Sequence, residues 1–263
     1  MTAPFGSVRA GAFARIAAAL IGVFALIGMP RPGWCDELVV SAAVSLSNAF
    51  KELGKDFEGG HAGVKVLFNF GASGQLLQQI ASGAPVDVFA SADQETMDRA
   101  EAQRLIEAAT RTNFVRNRLV LVAPGGAAST VSSLDELKGQ EVTRIAIGKP
   151  DSVPAGRYAQ EALELAGLWE MLKPKYVYGQ NVRQVLDYVE RGEVDAGFVY
   201  ATDAAVAADR VRVVAEAPVR RPILYPVAVV AKGPNPTRGR EFAAFVSTEV
   251  AQKILSRYGF ARP

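Results

Sequence analysis

The sequence predicts an α/β protein made of two lobes that are joined by strands. Short apolar runs rich in β-branched residues alternate with segments of helical period along most of the chain. This pattern is typical of helices layered on mainly parallel strands. Two of the apolar runs break the regular order, which indicates that the chain passes twice between two sheets. The 263 residues are enough for two lobes that each bury a core.

The predicted strands are short and are bounded by turn residues or helix starts. They cover residues 37–42, 64–70, 86–90, 119–123, 144–148, 175–178, 196–200, 211–215 and 225–231. The clearest of the helices between them, at residues 182–191, follows Asn181, a good N-cap, and stops at Gly192, which suits the residue after a helix end. The other predicted helices cover residues 46–57, 74–81 and 155–166.

Two strands mark the crossings between the lobes. The run at 119–123 follows a stretch interpreted as helical, and the run at 225–231 comes long after the first block of strands. One lobe therefore consists of residues 36–118 and 225–263, and the other is the inserted segment 119–224. Because no low-complexity linker separates them, we expect strands to connect the lobes, which suits closure around a ligand.

Residues 1–35 have the layout of a cleavable secretory signal peptide. Arginines precede an apolar run at residues 16–29, and the segment contains no acidic residue. The run of about 14 residues is short of the roughly 20 that cross a bilayer, which disfavours a permanent anchor. We expect cleavage near Cys35 and a periplasmic location. A lipoprotein acylated at Cys35 is the alternative, but the bulky Trp34 before it fits that processing poorly.

The composition excludes several classes of function. The leader holds three of the 29 basic residues and none of the 27 acidic ones, so the mature chain, with 26 against 27, is nearly neutral. With no basic stripe, nucleic acid is not an expected partner. Loss of the only cysteine removes disulfides and thiol chemistry. The only histidine is His61, so zinc sites and Ser-His-Asp catalysis have little to build on. We expect no catalytic residue, no cofactor and no direct protein ligand to a metal.

Four strand-to-helix junctions could hold an anion, because helix N-termini beyond the carboxyl ends of strands present unpaired N–H groups. Two of these junctions carry Ser45 and Ser73. The other two, at residues 153–156 and 179–183, offer backbone N–H groups. Taken singly, each feature has an ordinary explanation, since the serines could be helix N-caps and Tyr200 could be a packed aromatic residue.

The junctions belong to a series of motifs that resembles the periplasmic molybdate-binding proteins, in order, over essentially the whole mature chain. The motifs are Ala42-Ala43-Val44-Ser45-Leu46, Gly71-Ala72-Ser73-Gly74, the segment from Gly83 to Asp93, Val153-Pro154-Ala155-Gly156-Arg157-Tyr158-Ala159, Val199-Tyr200-Ala201-Thr202-Asp203-Ala204, Tyr225-Pro226-Val227-Ala228-Val229-Val230 and Arg257-Tyr258-Gly259-Phe260.

The resemblance implies a type II periplasmic-binding-protein fold, in which each lobe is a mainly parallel sheet flanked by helices and the ligand lies in the cleft between the lobes. In that family, serine and tyrosine hydroxyls and backbone N–H groups hold the oxyanion. Carried over position by position, the implied ligand-binding residues are Ser45, Ser73, Ala155, Val182 and Tyr200. The loop around Ser73 is richer in glycine and poorer in hydroxyls than in some members, which leaves contacts at Ala72 and Gly74 open.

The resemblance also implies the ligand and the partners. The ligand would be molybdate, with tungstate of nearly equal size as a second candidate, so that molybdenum is held as its oxyanion through the same residues. The partner would be the permease of an ABC transporter with its ATPase. We expect a monomer without stable membrane insertion.

Besides a binding protein for another oxyanion, three other hypotheses are open at this stage. A ferric-ion-binding protein could use the phenolates of Tyr176, Tyr178, Tyr200 and Tyr225, although adjacent tyrosines with carboxylates would suit that ion better. A serine or serine–lysine hydrolase could use Ser45 or Ser73, but the sequence lacks a nucleophile elbow and a clear general base. A signalling or scaffold module is also possible, yet it explains none of the four junctions.

Overall fold

The computed structural model describes residues 36–126 and 131–263. The predicted signal peptide, with Cys35, lies outside the described residues. The strands of the described part are β1 Asp36–Ala43, β2 Val64–Gly71, β3 Val88–Ala90, β4 Thr112–Asn117, β5 Leu119–Pro124, β6 Ile145–Gly148, β7 Tyr176–Gly179, β8 Ala196–Tyr200, β9 Val211–Glu216 and β10 Ile223–Val229. The α-helices there are α1 Ser47–Gly60, α2 Ser73–Ala81, α3 Gln94–Ala102, α4 Pro154–Leu165, α5 Trp169–Leu172, α6 Val182–Glu190, α7 Ala201–Val206, α8 Pro236–Phe245 and α9 Glu249–Arg257.

The strands form two five-stranded sheets, with the orders β2-β1-β3-β10-β4 and β7-β6-β8-β5-β9. In the first sheet β1 pairs in parallel with β2 and β3, whereas β10 is antiparallel to β3 and β4. The second sheet repeats this arrangement, with β6 parallel to β7 and β8 and with β5 antiparallel to β8 and β9. Four of the five strands in each sheet therefore point the same way. The predicted α/β class with two lobes and mainly parallel sheets is confirmed.

The chain passes between the sheets at two places. β4 lies at the edge of the first sheet, and after the single residue Arg118 the chain continues as β5 of the second sheet. It returns between β9 and β10. The strand that follows each crossing is the one that runs against its neighbours. The division into residues 36–118 with 225–263 and residues 119–224 stays a prediction. The first lobe is the first sheet with its flanking helices, and the second lobe is the second sheet with its flanking helices.

The nine predicted strands are all present, with ends shifted by at most two residues. The tenth, β4, was not predicted, and the interpretation of the stretch before β5 as helical was wrong there. Its large apolar residues, Phe114 and Val115, are adjacent and buried, so neither alternation nor a long apolar run marks a strand. Pairing with β10, which lies more than a hundred residues later, forms β4.

Helices pack close to the strand ends, where glycine permits it. A Cβ atom on Gly156 in α4 would lie 2.0 Å from the carbonyl oxygen of Gly148 at the end of β6. Only glycine lets the first turn of α4 approach the strand so closely. This contact fixes the position of the α4 N-terminus over the second sheet. In the two described ranges, no helix has the length and apolar character to span a bilayer.

Candidate ligand-binding site

The five residues implied by the resemblance line one cavity between the carboxyl ends of the two sheets. The first lobe contributes the ends of β1 and β2, and the second lobe contributes the starts of α4 and α6 and the end of β8. The complete lining is Ala43, Val44, Ser45, Gly71, Ala72, Ser73, Ala92, Val153, Pro154, Ala155, Val182 and Tyr200. None of these side chains carries a charge, so the cavity offers only neutral groups to a ligand.

Ser45 and Ser73 are not helix caps, so the ordinary explanation of these serines is wrong. Ser45 is the second residue of a 3-10 helix and Ser73 is the first residue of α2; the N-caps of these helices are Ala43 and Ala72, and neither helix has a side-chain cap hydrogen bond. Both side chains are buried. The Oγ atom of Ser45 lies 3.1 Å from the hydroxyl of Tyr225, and the backbone N–H of Ala92 donates to Ser73 Oγ at 3.0 Å. The protein therefore holds both hydroxyls at the cavity wall.

The second lobe brings two helix N-termini to the cavity. Ala155 is the second residue of α4, which begins with Pro154, and Val182 is the first residue of α6. N–H groups in the first turn of a helix have no partner within that helix. The predicted N-cap is confirmed, because Asn181 Oδ1 accepts a hydrogen bond from Gln184 N at 3.0 Å. An anion at this position would gain from the field of both helices.

Tyr200 ends β8 and is only 1% exposed. Its hydroxyl faces the carbonyl oxygen of Ala92 at 3.5 Å, which is long for a hydrogen bond. The ring lies edge-on to Tyr225, with centroids 5.6 Å apart. Burial, followed by the neighbouring Tyr225, raises the pKa of Tyr200 well above its ordinary value. The side chain is therefore a neutral phenol whose O–H can donate.

A charged pair joins the lobes beside the cavity. Arg157 of α4 donates through Nε and Nη2 to Asp93 Oδ2 at 2.9 and 2.6 Å, and Nη2 also reaches Thr96 Oγ1 at 2.7 Å. The two charged side chains are 15% and 4% exposed. Burial is the largest single effect and lowers the pKa of Arg157, but the charge and hydrogen bonding of Asp93 together with the charge of Glu95 raise it on balance. No pattern in the sequence marks this pair, because its members are 64 positions apart.

The backbones of the two lobes also meet directly. The N–H of Gly74, in the first turn of α2, donates to the carbonyl oxygen of Ser152 at 3.0 Å. A Cβ atom on Gly74 would lie 2.7 Å from that oxygen and 2.8 Å from Ser152 Cα. Gly74, whose role the resemblance left open, thus allows the two lobes to touch.

The four tyrosines of the ferric-ion hypothesis form two pairs, Tyr176 with Tyr178 and Tyr200 with Tyr225, and they do not form one cluster. Tyr176 donates to the carbonyl oxygen of Trp169 at 3.0 Å, and Tyr178 is 46% exposed on β7. Tyr200 and Tyr225 are buried phenols, and burial is the main reason why their pKa values are raised. They therefore resist forming phenolates. Within the described ranges, no cluster of three His, Cys, Asp or Glu side chains could hold a metal ion. These observations do not favour a ferric site.

The hydrolase hypothesis lacks a base at either serine. The recorded partner of Ser45 Oγ is the Tyr225 phenol, and that of Ser73 Oγ is a backbone N–H. A phenol with a raised pKa and an amide cannot accept the proton of a nucleophilic serine at neutral pH. The arrangement therefore suits donation to an anion better than nucleophilic attack.

Known proteins with similar sequences identify the family of this chain. Residues 38–261 match the family described as bacterial extracellular solute-binding protein. The chain belongs to this family. The resemblance to the periplasmic molybdate-binding proteins is confirmed by relatives of 37% and 40% identity.

Three relatives illustrate the place of the chain in the solute-binding family. It is 40% identical to the molybdate-binding protein ModA of Escherichia coli over 233 residues, covering 85% of this chain and 88% of that one. It is 37% identical to the molybdate-binding protein ModA of Haemophilus influenzae over 232 residues, covering 86% and 90%. The solved periplasmic molybdate-binding protein of Azotobacter vinelandii has a TM-score of 0.75 at 24% identity, covering 86% and 99%. This last likeness supports the fold.

Proposed function

We propose that the protein captures molybdate, and also tungstate, outside the cytoplasm and delivers it to an ABC-type uptake transporter. One observation carries the proposal: Ser45, Ser73, Ala155, Val182 and Tyr200 meet around one cavity that is lined only by neutral groups. The high identity to relatives named as molybdate-binding proteins supports the choice of ligand. In this proposal the two serine hydroxyls, the tyrosine hydroxyl and the N–H groups of Ala155 and Val182 donate to the oxyanion.

Neutral donors suffice for such a ligand. A tetrahedral dianion has four oxygens that only accept, and each must recover on burial the hydrogen bonds that it made in water. Hydrogen bonds to a charged group contribute about 1.5–3 kcal/mol each. Five of them, with the field of the helix N-termini, can reach the roughly 8 kcal/mol of micromolar binding after the cost of ordering the site. No lysine or arginine is needed at the ligand, which keeps release possible.

The same donors discriminate among anions. Monohydrogen phosphate carries a proton that needs an acceptor, and the lining contains no carboxylate to accept it. Sulfate has the charge of molybdate and no proton, so size must exclude it. Metal–oxygen bonds are longer than sulfur–oxygen bonds, and a cavity built from strand ends and helix starts is rigid enough to use the difference. Molybdate and tungstate are too similar in size for this device to separate them.

The donors come from both lobes, which suggests how release is controlled. We propose that residues 36–118 with 225–263 form one rigid body, that residues 119–224 form the other, and that they close on the anion. The direct contact of Gly74 with Ser152 and the Arg157–Asp93 pair support a closed arrangement in the present structure. A ligand that bridges two bodies shifts their equilibrium towards the closed form. The closed monomer would then be the form that the permease recognises.

Export rests on the sequence. We propose that residues 1–35 direct secretion and are removed, so that the mature protein works in the periplasm as the soluble partner of a permease and its ATPase. Membership of the extracellular solute-binding family supports this location. Mass spectrometry of the protein secreted by cells would decide the cleavage site. An N-terminal diacylglyceryl group on Cys35 would favour the lipoprotein alternative.

Native mass spectrometry of the mature protein, with molybdate, tungstate, sulfate, phosphate and ferric ion in competition, tests the ligand. We expect one molybdate or tungstate bound per chain and little sulfate. Retention of ferric ion, or of sulfate as well as molybdate, would contradict the proposal.

A serine variant tests the site. Ser73→Ala should raise the Kd for molybdate about 10-fold to 150-fold for one lost charge-assisted hydrogen bond. Ser256→Ala is a matched control, because that exposed hydroxyl donates to the carbonyl oxygen of Lys253 in α9. Calorimetry should report unchanged affinity for the control. Equal affinity of both variants and the parent would exclude Ser73 from the site.

A further inference from the structure

The orientation of the Asn117 amide is fixed by the backbone. Asn117 is the last residue of β4 and is 8% exposed. Its Oδ1 atom accepts a hydrogen bond from the N–H of Arg118 at 2.9 Å. A backbone N–H can only donate, so the oxygen of the amide must face it and the NH2 group must face the opposite side. There Nδ2 lies 2.9 Å from Thr202 Oγ1 and 3.3 Å from the hydroxyl of Tyr225.

The amide in turn fixes the direction in which Tyr225 donates. Tyr225 is completely buried, and burial raises the pKa of its phenol well above the ordinary value, so the proton stays on the oxygen. Because Asn117 Nδ2 can only donate, the Tyr225 proton must go elsewhere. The other recorded partner of that hydroxyl is Ser45 Oγ at 3.1 Å. If Ser45 donated instead, the buried phenol would have a proton and no acceptor, which costs about 1–3 kcal/mol.

We propose that Asn117 and Tyr225 are positioning residues that make Ser45 an obligatory donor to the ligand. The chain of hydrogen bonds runs from Asn117 Nδ2 to Tyr225 Oη, from Tyr225 Oη to Ser45 Oγ, and from Ser45 to an oxygen of the bound anion. This inference rests on the proposed function, and it adds a reason for the selection of fully deprotonated oxyanions. A hydroxyl that already accepts from Tyr225 is poorly placed to accept a proton from the ligand as well.

This chain of hydrogen bonds, the Asn117–Tyr225–Ser45 relay, lies where the lobes join. Asn117 directly precedes Arg118, the crossing residue, and Thr202 belongs to α7 of the second lobe. Tyr225 is in β10, the strand that follows the return crossing. Ser45 and Tyr225 are 180 positions apart, so the relay exists only in the folded protein. Neither Asn117 nor Tyr225 lines the cavity, and they act on the ligand through Ser45.

Two variants test the relay at pH 8. Tyr225→Phe removes the donor to Ser45. Asn117→Asp keeps the shape of the side chain but puts a carboxylate oxygen opposite Tyr225. The phenol then donates to residue 117, and the Ser45 hydroxyl becomes free to accept a hydrogen bond from the ligand. Tyr176→Phe is the matched control, because its hydroxyl donates to Trp169 at the far side of the second lobe. The measurement is the concentration of phosphate, and separately of sulfate, that displaces half of a bound molybdate tracer.

Molybdate, sulfate and monohydrogen phosphate are all dianions at this pH, so a carboxylate added near the site repels them alike. A Ser45 hydroxyl that accepts from the ligand instead of donating changes the ratio of the affinity for a protonated anion to the affinity for an unprotonated one. We expect the ratio of the phosphate Kd to the molybdate Kd to fall at least fivefold in both variants and to stay unchanged in Tyr176→Phe, while the ratio for sulfate stays constant.

Equal weakening of all three anions by both variants would overturn the relay and leave molybdate binding by the parent intact. A parent protein that binds no molybdate would instead overturn the proposed function, and the relay with it. The melting temperature of each ligand-free variant reports whether it folds. If Asn117→Asp does not fold, Tyr225→Phe decides the question alone.

Discussion

Replacement of Gly74 by alanine should prevent the lobes from closing while it leaves each lobe intact. In the structure a Cβ atom at this position would lie 2.7 Å from the backbone oxygen of Ser152 and 2.8 Å from its Cα. Neither atom can rotate away, because both belong to the backbone of the opposite lobe. Ordinary contacts are about 3.5–4.0 Å, so the two segments must separate by roughly an ångström. In the parent, the N–H of Gly74 lies 3.0 Å from the oxygen of Ser152, and this separation of the two segments would weaken the hydrogen bond between them.

The size of the expected loss of affinity follows from the cost of inserting a methyl group into a close-packed contact. Overpacking of this kind costs about 1–3 kcal/mol. Since closure is coupled to binding, we expect the Kd for molybdate to rise about 5-fold to 150-fold. The ligand-free protein should melt at the same temperature or higher, because alanine is a better helix former than glycine in α2.

Calorimetry for the Kd and a thermal melt of the ligand-free protein test both expectations. Gly59→Ala is the matched control, because it makes the same change in α1 of the same lobe, a Cβ atom there meets nothing within 4 Å, and Gly59 does not line the cavity. The control should bind nearly as well as the parent. Parent-like affinity in Gly74→Ala would refute the reasoning, since it would mean that the bound state does not contain the Gly74–Ser152 contact.

Three further outcomes follow from the site and its surroundings. Tyr200→Phe removes one buried donor and should raise the Kd for molybdate about 10-fold to 150-fold, mainly through faster release in stopped-flow experiments; unchanged release would remove this hydroxyl from the site. Arg157→Met leaves the buried Asp93 without its partner in the closed form, so the radius of gyration from small-angle scattering should increase, and adding Asp93→Asn should reverse part of the increase. Asp203 is completely buried, and burial, opposed by Arg183, raises its pKa from 3.8 to about 6. Its neutral form therefore stabilises the fold fully below about pH 4, and this stabilisation is lost as the pH rises through 6. Urea unfolding should show the stability of the parent, relative to Asp203→Asn, falling by about 3 kcal/mol between pH 4 and pH 8, and a constant difference would show that Asp203 does not titrate in this way.

The sequence by itself determined the class of the fold, and it predicted which residues line the candidate site. Strands such as β1 and β8 are marked by apolar runs, and helix starts such as Asn181 are marked by local hydrogen-bonding chemistry, so both are encoded within a few residues. The resemblance to a known family then identified the five residues that the structure brings to one cavity. Each of them lies at or just after the end of a strand or in the first turn of a helix, a position that can be recognised before the strands are assembled.

The tertiary structure decided what depends on pairing between distant segments. β4 has no clear pattern of its own and is a strand because β10 pairs with it. The Ser45–Tyr225 and Arg157–Asp93 contacts join residues 180 and 64 positions apart. A hydroxyl or a guanidinium has many possible partners in a sequence, and no local pattern selects among them. Their partners are set only when packing of the two lobes excludes water and leaves one hydrogen-bonding arrangement in which each buried donor has an acceptor.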